Sequence, residues 1–267
     1  MGFEYLTNVP LAQARKEYLE RLVSGGFGSK TETIPVFESC GRVTAKAVYA
    51  HICAPHYAAS AMDGVAVSAK ETFGATETTP VTLKPDQFLV LDTGDPIPED
   101  KDAVIMVEDI VKNGDGSITI HAAAAPWQHI RQIGEDVCAG EMILPSHMTV
   151  SPAAIGAMIA GGVLEIEVIR KPVVGIIPTG DEIIPPCTDP KPGDILEFNG
   201  SIFSAMVRSW GAEAVVYPIV PDKFDQIKEM VAKAADECDM VILNAGSSAG
   251  REDFSARVIR ELGEVLY

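Results

Sequence analysis

Apolar and polar residues change their spacing three times along this chain, and each change predicts a different kind of structure. Near the start, Leu11, Ala14, Tyr18 and Leu22 recur every three or four residues behind Val9-Pro10. Gly25-Gly26 follow, so an amphipathic helix is predicted that stops there. From about residue 48 to 139 the apolar runs shorten and alternate. Segments 64–67, 81–83, 88–91, 103–107 and 118–121 read as strands, separated by turn strings such as Asn113-Gly114-Asp115-Gly116. This spacing predicts a small antiparallel barrel or sandwich. Segment 151–160 is apolar and rich in small residues. Ser151 suits its N-cap, Pro152 its first turn and Gly161-Gly162 its end, and 164–169 reads as a strand.

From Pro172 onward, strands alternate with helical segments. The run Val173-Val174-Gly175-Ile176-Ile177 reads as a strand buried on both faces, which Pro178-Thr179-Gly180-Asp181-Glu182 then ends. Strands are predicted over 214–220 and 240–243. Helices are predicted over 200–210, capped by Asn199 and ended by Gly211, over 225–238 and over 254–262. Right-handed crossovers make the three strands a parallel sheet. Val265-Leu266-Tyr267 reads as the start of a fourth strand, so the sheet is expected to be incomplete.

Composition narrows the partners. The chain has 267 residues, 47% hydrophobic and 22% charged, ordinary for a globular protein. No apolar run reaches bilayer length, and the first ten residues lack a signal-peptide layout, so no membrane partner is expected. The five cysteines form no CxxC pair and read as reduced thiols of a cytoplasmic protein. The five histidines are equally scattered, which argues against a zinc site. A net charge of −17 argues against nucleic acid, whose phosphates need a basic surface. It also sets up a tension: a phosphate-bearing small molecule is repelled unless a cation or backbone N–H groups offset the carboxylates.

The chemistry is expected at the loop over 178–182, because ligands of open α/β sheets bind at the carboxyl ends of strands. Three other strings, Ser60-Ala61-Met62-Asp63-Gly64, Asp92-Thr93-Gly94-Asp95-Pro96 and Gly134-Glu135-Asp136, each read alone as ordinary acidic turns. The stretch over 244–253, Asn244-Ala245-Gly246-Ser247-Ser248-Ala249-Gly250-Arg251-Glu252-Asp253, carries more. Small residues between a strand and a helix let backbone N–H groups approach an anion, and Ser247 and Ser248 add donors. Asp253 suits either a helix N-cap or a metal ligand. No P-loop, dinucleotide fingerprint, GxSxG elbow or Ser-His-Asp grouping is present. The residues alone give an α/β protein with an acidic, glycine-rich anion or Mg²⁺ site, and leave enzyme and binding module both open.

In order and separation these strings resemble the MoeA/gephyrin family, the molybdopterin molybdenumtransferases, over essentially the whole chain. The resemblance implies an elongated α/β plus β-rich multidomain fold. A discontinuous α+β linker and dimer domain would span 1–47 with 140–171. A β-barrel-like domain over 48–139 would be inserted in it. A three-layer α/β/α domain of molybdopterin-binding type would follow over 172–267. It further implies molybdenum cofactor biosynthesis: Mg²⁺-dependent insertion of molybdate into adenylylated molybdopterin, with release of AMP. A homodimer is implied, with the active site in a cleft between the α/β domain of one subunit and the β-rich domain of the other. The upstream molybdopterin adenylyltransferase is a further implied partner.

Carried over by motif, Asp63, Thr93, Asp136, Glu182 and Asp222 match catalytic positions. Thr179, Gly180, Gly246, Ser247 and Ser248 match the substrate cradle, and Asp253 with Glu182 the Mg²⁺ ligands. Bound Mg²⁺ would also relieve the charge tension. Two departures stand out. Ser247 replaces the second glycine of the family's Gly-Gly pair and crowds the closest backbone approach, with Arg251 an added cation nearby. The family also continues with a Gly-Lys-Pro loop and a C-terminal β-barrel domain, so the resemblance implies a shortened chain that binds or dimerises better than it catalyses. A sensing or scaffold module of the same fold is the competing expectation.

Overall fold

The computed structural model describes residues 9–244 and 254–266, and the chain divides into two compact units, Met1–Glu32 with Ile169–Tyr267, and Thr33–Val168. No helix among the described residues is long and apolar enough to cross a membrane.

The first unit is built on a parallel sheet. Val173–Pro178 is its central strand, flanked by Glu213–Val216 on one side and Met240–Asn244 on the other. Ile176 and Ile177 are fully buried, as the continuous apolar run requires of a strand covered on both faces. Ile177 packs with Tyr217, Ile227, Ala234 and Val258, a core supplied by the Phe224–Glu237 and Ser255–Leu262 helices. Gly175 is required by this packing. A β-carbon there would sit 3.0 Å from both Cys238 Sγ and Tyr217 Cε2. Tyr217 is buried and its hydroxyl donates to Glu237 at 2.6 Å. Burial first, and then this bond, push the phenol well above its usual range. At the start of the Met240–Asn244 strand, Asp239 accepts from Lys30 Nζ, Arg170 Nη2 and the Val173 backbone N–H.

Four expectations for this unit change. The strand over 214–220 is shorter, Glu213–Val216. Tyr217 N–H still donates to Ile176 O at 2.8 Å, but the next donor to the central strand is Val220 rather than 219, so the register slips by one residue and pairing resumes only as a single bridge between Val220 and Thr179. The Asn199–Ser209 helix is not capped by Asn199. Glu197 reaches forward and accepts the Gly200 N–H at 2.6 Å. Val265 and Leu266 are not in a strand. The Leu11–Ser24 helix forms where predicted, but its apolar stripe is not buried: Leu11 is 83% exposed and Tyr18 44%.

The second unit holds two main hydrophobic cores. One joins Val65, Val67, Leu83, Ile105, Ile118 and Ile120. Around it lie two three-stranded antiparallel sheets. In one, Gly64–Val67 runs between Phe88–Leu91 and Ala103–Met106. In the other, Ile118–Ile120 runs between Val81–Leu83 and Ile110–Lys112. The expected barrel does not close: among the described residues these remain two separate sheets. The other core gathers Val36, Val150, Met158, Ile166 and Val168. It contains the Pro152–Ala160 helix, whose Ser151 hydroxyl accepts the Ala154 N–H at 3.2 Å, as its sequence predicts.

Candidate functional site

The carboxyl end of the parallel sheet is formed by three segments. Thr179 donates its N–H to Asn244 O at 3.0 Å and its hydroxyl to the same oxygen at 3.3 Å. Gly180 N–H donates to Val220 O at 3.1 Å, and Asp181 Oδ1 accepts the Asp222 N–H at 3.2 Å. The 178–182 loop is thereby tied to the ends of both neighbouring segments. Gly180 sits at φ +143°, and a β-carbon there would lie 2.7 Å from Ile183 Cγ1, so only glycine fits this turn without strain. The Glu182 carboxylate folds back over it, 3.1 Å from that same point, and remains exposed. Beside the loop opens a cleft of about 550 Å³, lined by Gly180, Asp181, Pro185, Glu197 and Tyr217.

The structure therefore gathers Thr179, Gly180, Glu182 and Asp222 at one strand end, and adds Asp181 and Asn244, whose backbone and carboxylate contacts no sequence spacing announces. Gly246, Ser247, Ser248 and Asp253 lie outside the described residues. Carboxylate oxygens are the donors a hard cation such as Mg²⁺ takes, one or two at a time with water and phosphate oxygens completing its shell. Among the described residues, however, no three His, Cys, Asp or Glu side chains converge as a metal site. The donor type thus fits Mg²⁺, while a closed protein cage is not present among the described residues.

In the β-rich unit, three more predicted loops meet around the short Ala59–Ser60 strand, which pairs with Ile130–Arg131. Ser60 N–H donates to Asp95 O at 2.9 Å, Gly94 N–H to Ser60 O at 2.8 Å, and Ala61 N–H to His129 O at 2.9 Å. The Ser60 hydroxyl closes its own turn by donating to Met62 O at 2.6 Å. These ties present Asp63 to Thr93. Thr93 donates its backbone N–H at 2.7 Å and its hydroxyl at 2.8 Å to Asp63 Oδ1. The backbone bond first, and then the hydroxyl, hold the Asp63 carboxyl below its usual range.

Asp136 sits in the third loop. Asp136 and Val137 both donate N–H to Ala54 O, at 3.0 and 3.2 Å, the two-against-one pairing of a β-bulge. A bulge re-aims the side chain it carries. Asp136 here accepts from Arg131 Nη2 at 2.8 Å, and Glu135 accepts from Arg131 Nε. His129, which no motif singled out, holds φ +56°, a conformation uncommon outside glycine, and supplies the carbonyl that anchors Ala61.

Comparison with known proteins agrees with both halves. Residues 9–162 match the family model "MoeA N-terminal region (domain I and II)", and 175–266 match "Probable molybdopterin binding domain". Molybdopterin molybdenumtransferase 2 of Mycobacterium tuberculosis is 35% identical over 234 residues, covering 82% of this chain and 58% of that protein. The molybdopterin molybdenumtransferase of Haemophilus influenzae is 31% identical over 269 residues, covering 96% and 66%. A crystal structure of the molybdopterin biosynthesis MoeA protein from Pyrococcus horikoshii superposes with a TM-score of 0.80 at 30% identity, covering 97% of this chain and 68% of that one. The chain thus spans roughly three fifths to two thirds of the length of these relatives. With its mixed α/β and β-rich content, its matched models and these relatives together, the chain belongs to the MoeA family.

Proposed function

We propose that this chain acts in molybdenum cofactor biosynthesis as a molybdopterin molybdenumtransferase, taking molybdate and adenylylated molybdopterin and releasing AMP with Mg²⁺. One observation carries the reading. Four of the strings that resemble the family are held in two built arrangements: a carboxylate-bearing strand end around Thr179, Gly180, Glu182 and Asp222, and an Asp63–Thr93 pair beside the Asp136 bulge. Gly180 permits the turn that brings the 178–182 backbone to the cleft at the sheet end. Glu182 and Asp222 offer oxygens for Mg²⁺, a role that Asp253 would complete, and Gly246, Ser247 and Ser248 would cradle phosphate. Mg²⁺, when bound, supplies charge neutralisation for the phosphates. Asp63, kept ionised by Thr93, and Asp136, oriented by Arg131, serve as fixed acceptors for donor groups of pterin or hydrated molybdate.

In this reading the protein is a homodimer in which the β-rich loops of one copy serve the α/β unit of the other. The domain division at 48–139 is supported by that segment's own core. The three-layer reading of 172–267 is supported by helices contributing to the core behind Ile177, while Gly200 of the Asn199–Ser209 helix lies against Val216.

The test is turnover: protein, Mg²⁺, molybdate and adenylylated molybdopterin, with AMP release and reconstitution of a molybdenum enzyme measured together. Glu182→Ala and Asp253→Ala are each expected to lose turnover while keeping the wild-type melting curve. Retained turnover in both overturns the site assignment. Mixing Glu182→Ala with Asp63→Ala protein should restore part of the activity, because a mixed dimer regains one intact site; no restoration overturns the shared-site arrangement. Ser247 in place of glycine favours a second reading, a sensing module. Calorimetric binding of molybdate or AMP with no product formed would establish that one instead.

A further inference from the structure

Two of the five cysteines, far apart in sequence, face each other across an antiparallel bridge. Ala54 and Val137 exchange both backbone hydrogen bonds, Ala54 N–H to Val137 O at 2.8 Å and Val137 N–H to Ala54 O at 3.2 Å. In an antiparallel ladder the residues next to such a pair, here Cys53 and Cys138, stand opposite each other without hydrogen bonds. In a regular ladder such a pair has Cα atoms about 4.5 Å apart with side chains on one face. The sulfurs lie on that shared face. A β-carbon on Gly134 would lie 2.8 Å from Cys138 Sγ and 3.5 Å from Cys53 Sγ, so both converge on the space that this glycine leaves open. The neighbouring Ala139 N–H approaches Cys53 Sγ at 3.4 Å, and Cys138 Sγ donates to Gly134 O at 3.4 Å. Cys138 is exposed and Cys53 partly buried, so one thiol of the pair is open to a reagent in solution. Disulfides need Cα separations of roughly 4.4–6.8 Å, and a non-hydrogen-bonded antiparallel pair meets that without moving the backbone.

We propose that Cys53 and Cys138 are a reversible disulfide site, oxidised by exchange with low-molecular-weight disulfides and situated at the foot of the turn that carries Asp136. The steps balance. The Cys138 thiolate attacks one sulfur of the small disulfide, forming a mixed disulfide and releasing one thiol. The Cys53 thiolate then attacks Cys138 Sγ, forming the protein disulfide and releasing the second thiol. Two electrons pass from the protein to the reagent, and the two thiol protons leave with the released thiols. The bridge draws Cys138 Sγ away from Gly134 O and locks 53–55 to 136–138, so the Asp136 bulge can no longer open. Cys40, Cys187 and Cys238 have no such cysteine opposite them among the described contacts.

The site is tested on the full chain, equilibrated with graded ratios of oxidised to reduced glutathione and then quenched by acid. Thiol titration is expected to fall from five to three, and the non-reduced digest to contain a peptide pair joined through Cys53 and Cys138. Cys53→Ser should leave Cys138 as a mixed disulfide with glutathione, which identifies Cys138 as the first thiol to react. The variant carrying Cys40→Ser, Cys187→Ser and Cys238→Ser together should still lose both remaining thiols, and added reductant should restore them. Retention of all five thiols at the most oxidising ratio overturns the proposal, as does linkage through Cys40, Cys187 or Cys238. These readouts are independent of molybdenum transfer, so loss of turnover in an activity assay does not alter them.

Discussion

Thr93 gives both its backbone N–H and its hydroxyl to one oxygen of Asp63, across 30 residues of sequence. Both bonds favour the ionised carboxylate, so Asp63 stays charged to lower pH than an ordinary aspartate. Thr93→Val removes the hydroxyl and keeps the N–H. The Asp63 carboxyl should then titrate at higher pH than in the wild type, though still below its usual range. Carboxyl-carbon NMR titration reads this directly, and an unshifted curve would show that the hydroxyl bond does not form in solution.

Asp239 gives a pH prediction for the α/β unit. Burial alone would raise its pKa, but Lys30, the Val173 N–H and Arg170 outweigh that and bring it from 3.8 to about 2. A carboxyl whose pKa is lowered on folding adds stability above its unfolded value. That contribution is lost as the pH falls from near 4 toward 2. The shift is worth about 2 kcal/mol at neutral pH. Asp239→Asn should therefore lower the urea midpoint at pH 7 and flatten the loss of stability between pH 4 and 2. Equal acid sensitivity in the two proteins would refute it.

Gly64 tests why its motif ends in glycine. An added β-carbon would sit 2.0 Å from Ile105 O, a backbone atom held in the pairing of Gly64–Val67 with Ala103–Met106. Gly64→Ala must separate those strands, at a cost of about 3 kcal/mol or more, the upper range for overpacking. A large drop in melting temperature is expected, with loss of the Asp63–Thr93 pair in NMR spectra. A variant as stable as wild type would mean that the strands are not paired in this register.

The cap of the Asn199–Ser209 helix separates sequence expectation from structure. Glu197→Ala should cost about 1 kcal/mol, the usual worth of a lost cap, whereas Asn199→Ala should be nearly neutral. The reverse order in chemical denaturation would restore Asn199 as the cap.

Much of this was legible because it is local. The Gly64–Val67, Val81–Leu83 and Phe88–Leu91 strands were readable with their limits, since apolar alternation and flanking turn residues lie within a few positions of each other. Ser151 before Pro152 announced its helix for the same reason. Asn199 misled because it is a preferred capping type in the right place, while Glu197 caps by the reach of a longer side chain, which no propensity encodes. The stripe of the Leu11–Ser24 helix was readable as a pattern, but periodicity does not say what covers it. At the site, the loops could be marked as acidic, but not their partners. Asp222 meets Asp181 41 residues away, and Ala54, which organises the Asp136 bulge, lies in no motif. The thiol pair is not legible in the spacing of cysteines along the chain, because it forms across the Ala54–Val137 bridge.

The order of the three parallel strands has a consequence of its own. The first strand of the unit, Val173–Pro178, is the middle one, and the second and third lie on opposite sides of it. The winding of the chain reverses there, and open α/β sheets bind ligands outside the carboxyl ends of their strands at such a topological switch point. Here Thr179 is bonded to Asn244 on the third-strand side, and the cleft opens on the other side of Val173–Pro178, toward Val216 and Tyr217. Replacing Glu182 by alanine, which leaves the Asp181 and Gly180 ties intact, should keep that cleft in place and remove only an exposed carboxylate.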